Sequence, residues 1–373
     1  MPAYLDHAAS SPLRPEALDA MLPWFQEHHA NPTASHRRGR RARQALDDAR
    51  AVLAEATGFE RGDVVFTGGG TESDNLAIGR GHAPETVVVG ATEHPAVLEP
   101  AQRQGALIAQ ADEHGLVTVD AVMKHVGPDT AVVSVMTVNN ELGVQQPIAE
   151  IAAAVHAVAP NALVHSDAVQ ALPWLDLAEA TAGVDMLSVT GHKLGGPQGV
   201  GAVVVRQRSM PEPMLVGGGQ ERDRRAGTQN VAGIVGFAAA VKAARDDADE
   251  RLRRIDKLAT TLLDGLIEQV DGLRPTVPVD ARVPGIVHVL VPGVQSEPLL
   301  FLLDQEDIAC SAASSCASGA QGASHVLSAM GLDTSTCAPL RLSLGWSTTE
   351  AEIDEALVRI PAAVAQLHGA SNG

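Results

Sequence analysis

Lys193 is the first residue whose surroundings suggest chemistry. It follows the apolar run 186–189 and precedes Gly195, Gly196 and Pro197. Where a buried strand opens into a glycine-rich loop, a lysine is partly desolvated, which lowers its pKa and lets the amine form a Schiff base. Most lysines lie in water, but the strand before Lys193 and the glycines after it favour the buried position.

Cys316 has the surroundings of a residue that carries a group covalently. Segment 310–324 consists almost entirely of Ser, Ala, Gly and Cys, whereas a structural cysteine normally packs among large apolar side chains. We therefore expect a mobile loop with an accessible thiol, as a group-carrying nucleophile requires. An incidental surface cysteine is the alternative. Cys310 is predicted to be a core cysteine of a strand, and Cys337 lies in a polar turn.

Two other segments offer partners for an anion and for a cation. Residues 68–73 (Gly-Gly-Gly-Thr-Glu-Ser) lie between an apolar run and a helical segment, so their N–H groups could bind an anion. A plain tight turn has a similar sequence, and the absence of a following Gly-Lys-Ser/Thr excludes a Walker loop. Asp167 comes just after the run 162–165, where open α/β sheets place ligands, although a helix N-cap is the alternative.

These residues need a scaffold, and the hydrophobic pattern predicts one. Apolar, β-rich runs recur at 64–66, 86–89, 131–135, 162–165, 186–189 and 203–205, separated by helical stretches. Because the runs are continuous and do not alternate, they predict strands covered on both faces, as in a largely parallel α/β sheet. A long helix is predicted from Val241 to Leu266, where apolar residues recur every three or four positions.

The length of the chain and a Pro-rich stretch indicate two domains. The 373 residues are enough for one large domain with a smaller companion. Residues 274–284 are rich in proline and separate the long helix from two later apolar runs. We predict a large domain over 13–245, and a smaller α/β domain, built from 1–12 and 246–373, that carries the Cys316 loop.

Charge and composition disfavour several classes of function. The formal net charge of −18 argues against non-specific nucleic-acid binding, and the basic cluster 36–41 is interpreted as a solvated or interface segment. The start of the chain lacks an export signal and the longest uncharged apolar stretch is too short to span a bilayer, so we expect no membrane association. Three cysteines without a CxxC motif favour a cytoplasmic location. No pair of His, Asp or Cys has the spacing of zinc ligands, so we expect no metal site.

In their order along the chain, these motifs resemble those of the NifS/IscS-type cysteine desulfurases, class V of the fold-type I pyridoxal-phosphate enzymes. The matching segments are 4–9, 31–32 with His36, 69–77, 92–94, 138–143, 165–170, 190–193, 217–221 with 225–228, Cys316 and 341–345. The resemblance implies a fold-type I architecture: a large, mostly parallel sheet domain plus a smaller C-terminal α/β domain. It also implies that pyridoxal 5'-phosphate is the cofactor and that the protein is a homodimer.

The resemblance further implies roles around the cofactor. Lys193 binds it covalently and later moves protons, Asp167 pairs with its pyridine nitrogen, and His94 stacks on its ring as an acid–base group. The other implied cofactor-binding residues are Asn140 and Gln170 at the phenolic oxygen, Gly70, Thr71, Thr190 and His192 at the phosphate, and Thr228 from the partner subunit of the homodimer.

Substrate and product follow from the same resemblance. Arg341 and Asn140 are implied to bind L-cysteine, Arg341 by clamping the carboxylate. Cys316 is implied to attack the substrate sulfur, which leaves a persulfide on Cys316 and releases L-alanine. The sulfur then passes to a protein acceptor. An iron–sulfur scaffold, a tRNA-thiolation enzyme and a DNA-modifying system all remain open as that acceptor.

Two departures from the family leave alternatives open. Ala312 and Ala313 stand where Ser-Gly is usual, which stiffens the loop before Cys316, and Ala226 replaces a serine near the implied phosphate site. Other class V activities, selenocysteine lyase or aminotransferase, are alternative functions, and an aminotransferase would not need Cys316. A third alternative is a weakly catalytic partner that only relays persulfide, and the altered loop is its sole support.

Overall fold

The computed structural model describes residues 2–79, 86–206, 209, 212–312 and 324–371, in which the apolar runs form strands. These strands are β1 Ala3–Tyr4, β2 Val64–Thr67, β3 Thr86–Gly90, β4 Leu107–Ala109, β5 Thr130–Ser134, β6 Leu163–Asp167, β7 Met186–Thr190, β8 Gly201–Val205, β9 Arg274–Pro275, β10 Ile286–Pro292, β11 Ile308–Ala309 and β12 Cys337–Ser343. The helices are α1 Pro15–Gln26, α2 Arg37–Thr57, α3 Gly70–Ile78, α4 Pro95–Arg103, α5 Val119–Met123, α6 Ile148–Val158, α7 Leu177–Ala180, α8 Val231–Asp246, α9 Ala248–Gln269, α10 Ser296–Gln305, α11 His325–Ala329 and α12 Glu350–Ser371.

Strands β2 to β8 form the large sheet, in the order β2-β8-β7-β6-β5-β3-β4. Its pairs are parallel from β7 through β6, β5 and β3 to β4, whereas β8 runs antiparallel to both β7 and β2. The prediction of a largely parallel α/β sheet is confirmed. Strand β8 reverses because β7 and β8 are joined by the short segment 191–200, which contains no crossover helix. Lys193 lies in that segment.

Successive strand residues bury their side chains on opposite faces of the large sheet. On one face, strand residues pack with Leu53 of α2 and Phe237 of α8. On the other, they pack with Ile78 of α3 and Val97 of α4. Both faces are therefore covered by helices, which explains why the strand sequences are continuously apolar.

A second hydrophobic core belongs to the C-terminal half of the chain. Strands β12, β10 and β9 form an antiparallel sheet that packs with α9, α10 and α12. Strand β1 pairs in parallel with β11, so Ala3 and Leu5 from the start of the chain are buried in this core. The domain limits given above stay a prediction. Among the described residues, no helix is both long and apolar enough to cross a membrane.

The helix predicted from Val241 to Leu266 is two helices, α8 and α9, which meet at Asp247. The carboxylate of Asp247 accepts hydrogen bonds from Arg14 Nη1 at 2.8 Å and from Arg251 Nε at 2.9 Å. The apolar periodicity is similar on both sides of the break, so the sequence pattern does not reveal it. Arg14, more than two hundred residues earlier in the chain, thus contacts the residue that separates the two helices.

Candidate active site

The carboxyl ends of β6 and β7 open onto a cavity of about 460 Å³. Ten of the residues that the sequence predicts for the site line this one cavity: Gly70, Thr71, His94, Asn140, Asp167, Gln170, Thr190, His192, Lys193 and Arg341. They come from the last residues of β6 and β7, the loops that follow β5, β6 and β7, the start of α3, the N-cap of α4 and strand β12. Parallel strands place their carboxyl ends at one edge, and this brings together residues that are far apart in sequence.

Lys193 lies on the floor of the cavity, in the tight turn after β7. Its Nζ donates hydrogen bonds to the carbonyl oxygens of Ala8 at 2.8 Å and Ala9 at 2.9 Å. The turn is closed by a hydrogen bond from the Gly196 N–H to the Gly191 carbonyl at 2.9 Å. Gly195 has a φ of +92°, a conformation that favours glycine and explains why a glycine follows the lysine so closely.

Asp167 ends β6 with its side chain buried beside the cavity. Its Oδ1 accepts the N–H of Val169 at 2.8 Å, and a turn, not a helix, follows. Burial raises the pKa of Asp167 to about 6, while the Val169 N–H and the positive charge of Lys193 act in the opposite direction. A buried carboxylate of this kind suits a partner that carries a positive charge or a proton.

His94 caps the N-terminus of α4, and this contact fixes its tautomer. Its Nδ1 accepts the N–H of Ala96 at 3.1 Å, so the proton of the neutral ring lies on Nε2. Burial, together with the positive charges of Lys193 and His325, lowers the pKa of His94 to about 4. His94 is therefore a neutral imidazole at physiological pH, a form suited to stacking on a ring and to accepting or donating a proton.

The glycine-rich turn borders a second cavity, of about 660 Å³. It shares lining residues with the first cavity: Ala9, Gly70, Thr71, Thr190 and His192. Helix α3 begins at Gly70 without a side-chain cap, so its first N–H groups and its positive dipole end are available to bind an anion. The hydroxyl of the buried Thr190 donates to the Val200 carbonyl at 2.9 Å.

Arg341 extends from β12 toward the loop that follows β5. Its Nη1 donates to the Asn140 carbonyl at 2.8 Å and its Nη2 to Asp6 Oδ1 at 3.0 Å. Among the described residues, its Nε has no hydrogen-bond partner. Burial raises the pKa of Asp6, whereas the guanidinium of Arg341 lowers it. Asp6 also lines the cavity; sequence reasoning missed this role because Asp6 and Arg341 are 335 residues apart.

Of the predicted site residues, Cys316 and Thr228 remain to be described. Cys316 lies outside the described residues, in segment 313–323. Before this segment, the backbone of Ser311 pairs with that of Arg341. After it, His325 Nε2 lies 2.9 Å from the Glu93 carbonyl oxygen. Thr228 is exposed and lines neither cavity of its own chain.

The two described cysteines have the properties of protonated thiols. Burial raises the pKa of Cys310 to about 12 and raises that of Cys337 as well. Thiols with raised pKa are poor nucleophiles, because the thiolate is the reactive form. Cys310 and Cys337 are therefore poor candidates for a reactive thiolate.

The side chains of the cavity fit pyridoxal 5'-phosphate. A phosphorylated pyridine aldehyde needs an amine, a carboxylate for its ring nitrogen and an anion site for its phosphate. Lys193, Asp167 and the start of α3 offer these groups at separate places around the two adjoining cavities. Among the described residues, no group of three or more His, Cys, Asp and Glu side chains forms a metal site.

Comparison with known proteins gives matches over nearly the whole chain. The family model "Aminotransferase class-V" matches residues 3–356. An "IscS-like cysteine desulfurase" of Mycobacterium tuberculosis is 40% identical, over 99% of this chain and 98% of that protein. The solved structure titled "NIFS-like protein" superposes with a TM-score of 0.90 at 31% identity, covering 98% of this chain and 100% of that one. The structure "SspA in complex with cysteine" has a TM-score of 0.79 at 28% identity and covers 93% and 100%.

Proposed function

From the fact that this chain belongs to the class-V aminotransferase family, among the pyridoxal-phosphate-dependent cysteine desulfurases, we propose that it converts L-cysteine to L-alanine and holds the sulfur as a persulfide on Cys316. The observation that carries the proposal is the single cavity in which Lys193, Asp167, His94 and Arg341 meet. An amine, a buried carboxylate, a neutral imidazole and a guanidinium match the cofactor and an amino-acid substrate group by group.

The chain's own residues divide the work of holding the cofactor. When bound, pyridoxal phosphate supplies an electron sink for charge that develops on the substrate. Lys193 anchors it and is placed to move protons, and Asp167 holds negative charge beside the ring nitrogen. The N–H groups at the start of α3 hold the phosphate, together with Gly70, Thr71, Thr190 and His192. His94 covers the ring, and Asn140 and Gln170 bind its phenolic oxygen.

Arg341 is proposed to bind the substrate carboxylate. A guanidinium offers parallel donors that match a carboxylate in a bidentate geometry. In the structure these donors contact Asp6 and the Asn140 carbonyl, so the arginine is already oriented toward the cavity before substrate arrives. Asn140 lines the same wall and is the second proposed substrate contact.

Sulfur transfer is proposed to occur at Cys316. Its thiolate attacks the substrate sulfur, the bond from that sulfur to Cβ breaks, and the electron pair stays on Cβ, where a proton completes alanine. The new sulfur–sulfur bond leaves a persulfide on Cys316. Ala312 and Ser324, the described residues that flank segment 313–323, belong to stretches anchored beside Arg341 and Glu93.

The surroundings of Thr228 support a homodimer. Thr228 is exposed, as are the neighbouring apolar residues Leu215 and Val216, the latter 81% exposed. A homodimer in which Thr228 reaches the partner's phosphate site would use this surface. A protein sulfur acceptor, in iron–sulfur cluster assembly or thiolation, and a cytoplasmic location complete the proposal.

The test replaces each cysteine by serine. Cys316→Ser should keep the visible absorption of the bound cofactor and shift it when L-cysteine is added, but release almost no alanine and carry no persulfide. Cys310→Ser and Cys337→Ser are the matched controls and should remain active. Alanine and sulfide release by Cys316→Ser at near the parental rate would contradict the proposal, and alanine formation only from an added amino acceptor would favour an aminotransferase.

A further inference from the structure

Three buried carboxyl groups lie together beside the cavity, more than the proposed chemistry uses. Asp167 ends β6, Asp74 belongs to α3, and Glu93 directly precedes His94. Asp74 is 1% exposed and Glu93 is fully buried. Within the described part of the chain, neither Asp74 nor Glu93 forms an ion pair with a lysine or an arginine, and the nearest ring nitrogen to Asp74 is His165 Nε2, at 3.8 Å.

A row of polar side chains crosses the sheet between these carboxyls. Ser134 Oγ on β5 lies 2.9 Å from His165 Nδ1 on β6, and His165 Nε2 lies 3.0 Å from Ser188 Oγ on β7. The Ser134 hydroxyl faces Glu93, and the Ser188 hydroxyl faces Asp74. Burial lowers the pKa of His165 to about 3, so the ring is neutral, with one donor nitrogen and one acceptor nitrogen.

Neither Asp74 nor Glu93 has donors for both of its carboxyl oxygens. Glu93 Oε1 accepts the N–H of Met136, but Glu93 Oε2 and Asp74 Oδ1 are buried without a hydrogen-bond partner among the described residues. A charged oxygen that lacks a donor is far more costly to bury than an uncharged one. Asp167 differs because, besides accepting the Val169 N–H, it lies near the positive charge of Lys193.

We propose that Asp74 and Glu93 are uncharged positioning residues. They are joined through Ser188, His165 and Ser134. Asp167 is then the one of the three carboxyl groups that carries a negative charge. This inference deepens the proposed function, since one fixed carboxylate matches one positive charge on the cofactor's ring nitrogen. Burial and the charge of Asp167 raise the pKa of both Asp74 and Glu93 well above the usual range, while Asp167 rises only to about 6. Asp167 therefore ionises first.

The first test measures the unfolding of the full chain in urea, without cofactor, at several pH values. A carboxyl whose pKa is raised in the folded state keeps a proton that the unfolded chain has released, so stability falls as pH rises from about 4 through the folded pKa. Asp74→Asn and Glu93→Gln cannot titrate. Between pH 5 and 7, the ratio of each variant's folding equilibrium constant to that of the parent should therefore rise by up to about tenfold per pH unit.

Matched controls are Asp264→Asn and Glu268→Gln, two exposed residues of α9, which should follow the parent at every pH. If Asp74→Asn and Glu93→Gln also follow the parent, or lose stability relative to it as pH rises, the carboxyls are ionised in the fold and the inference is wrong. This result does not depend on the cofactor, so failure of the proposed function would leave it standing.

The second test uses the holoenzyme. In the double variant Asp74→Asn/Glu93→Gln, the pH midpoint of the bound cofactor's visible band should stay where it is in the parent, and a shift of about one unit or more would show that one of the two carried the charge. If the variants do not fold, infrared spectra of the parent decide: bands of protonated carboxyl groups at neutral pH support the inference, and their absence overturns it.

Discussion

Replacing Arg341 by lysine separates the charge of the guanidinium from its geometry. Lysine keeps the positive charge but offers one ammonium group in place of two parallel donors. In the structure, Arg341 uses Nη1 for the Asn140 carbonyl and Nη2 for Asp6. A lysine at the same place cannot hold both contacts and also bind a carboxylate at two points, so one charge-assisted hydrogen bond to the substrate is lost.

The magnitude follows from that single bond. A hydrogen bond to a charged group contributes about 1.5–3 kcal/mol, and about 1.4 kcal/mol corresponds to a tenfold change in affinity. Arg341→Lys should therefore weaken L-cysteine binding by about 10- to 100-fold, while the cofactor spectrum in the absence of substrate stays unchanged. The effect should appear mainly in KM, because the carboxylate is bound equally before and during the reaction.

The assay compares L-cysteine with cysteamine, which lacks the carboxylate. Dissociation constants are read from the shift of the visible spectrum in a Cys316→Ser background, where binding occurs without turnover. Arg341→Lys should weaken L-cysteine and leave cysteamine unaffected, and Arg359→Lys on the outer helix α12 serves as the control. If both ligands weaken equally, Arg341 acts through its contacts with Asp6 and Asn140 and not through the carboxylate, and the reasoning fails.

Three further outcomes test other parts of the site. Borohydride reduction followed by peptide mapping should place the pyridoxyl group on Lys193, and a label on another lysine would end that assignment. Thr228→Val should weaken cofactor binding by about 10- to 100-fold through one lost phosphate contact, and a monomer with full affinity would contradict the shared site. Glu221→Gln should lower the free energy of unfolding by about 3–5 kcal/mol, because it leaves Arg50, bonded to Glu221 at 2.7 Å, without its buried partner. A loss below about 1 kcal/mol would refute the stabilising role.

The buried pair between Arg50 and Glu221 also explains an unusual backbone. Glu221, Arg222 and Asp223 all have positive φ angles, between 48° and 64°, a conformation that non-glycine residues rarely adopt. The bidentate contact to Arg50 and the hydrogen bond from the Phe66 N–H hold Glu221 in place. The strained turn thereby fixes the segment that leads to Thr228, the residue proposed to reach the partner subunit.

The sequence predicted most reliably what depends on near neighbours. All six apolar runs of the large sheet are strands, and Lys193, Asp167 and the turn before Thr71 each follow one of them. Such residues are predictable because strands of a parallel sheet end at a common edge, where their loops converge. The motif order predicted the family, and ten of the proposed site residues line one cavity.

Only the tertiary structure decided contacts between distant segments. The pairing of Asp6 with Arg341, the carbonyl oxygens of residues 8–9 at Lys193 Nζ, and Asp74 beside His165 join parts of the chain that no local pattern relates. The contact of Arg14 with Asp247, between α8 and α9, likewise joins distant segments. Hydrophobic periodicity specifies which face of an element is buried, whereas the partner of a buried polar group depends on how the chain crosses itself.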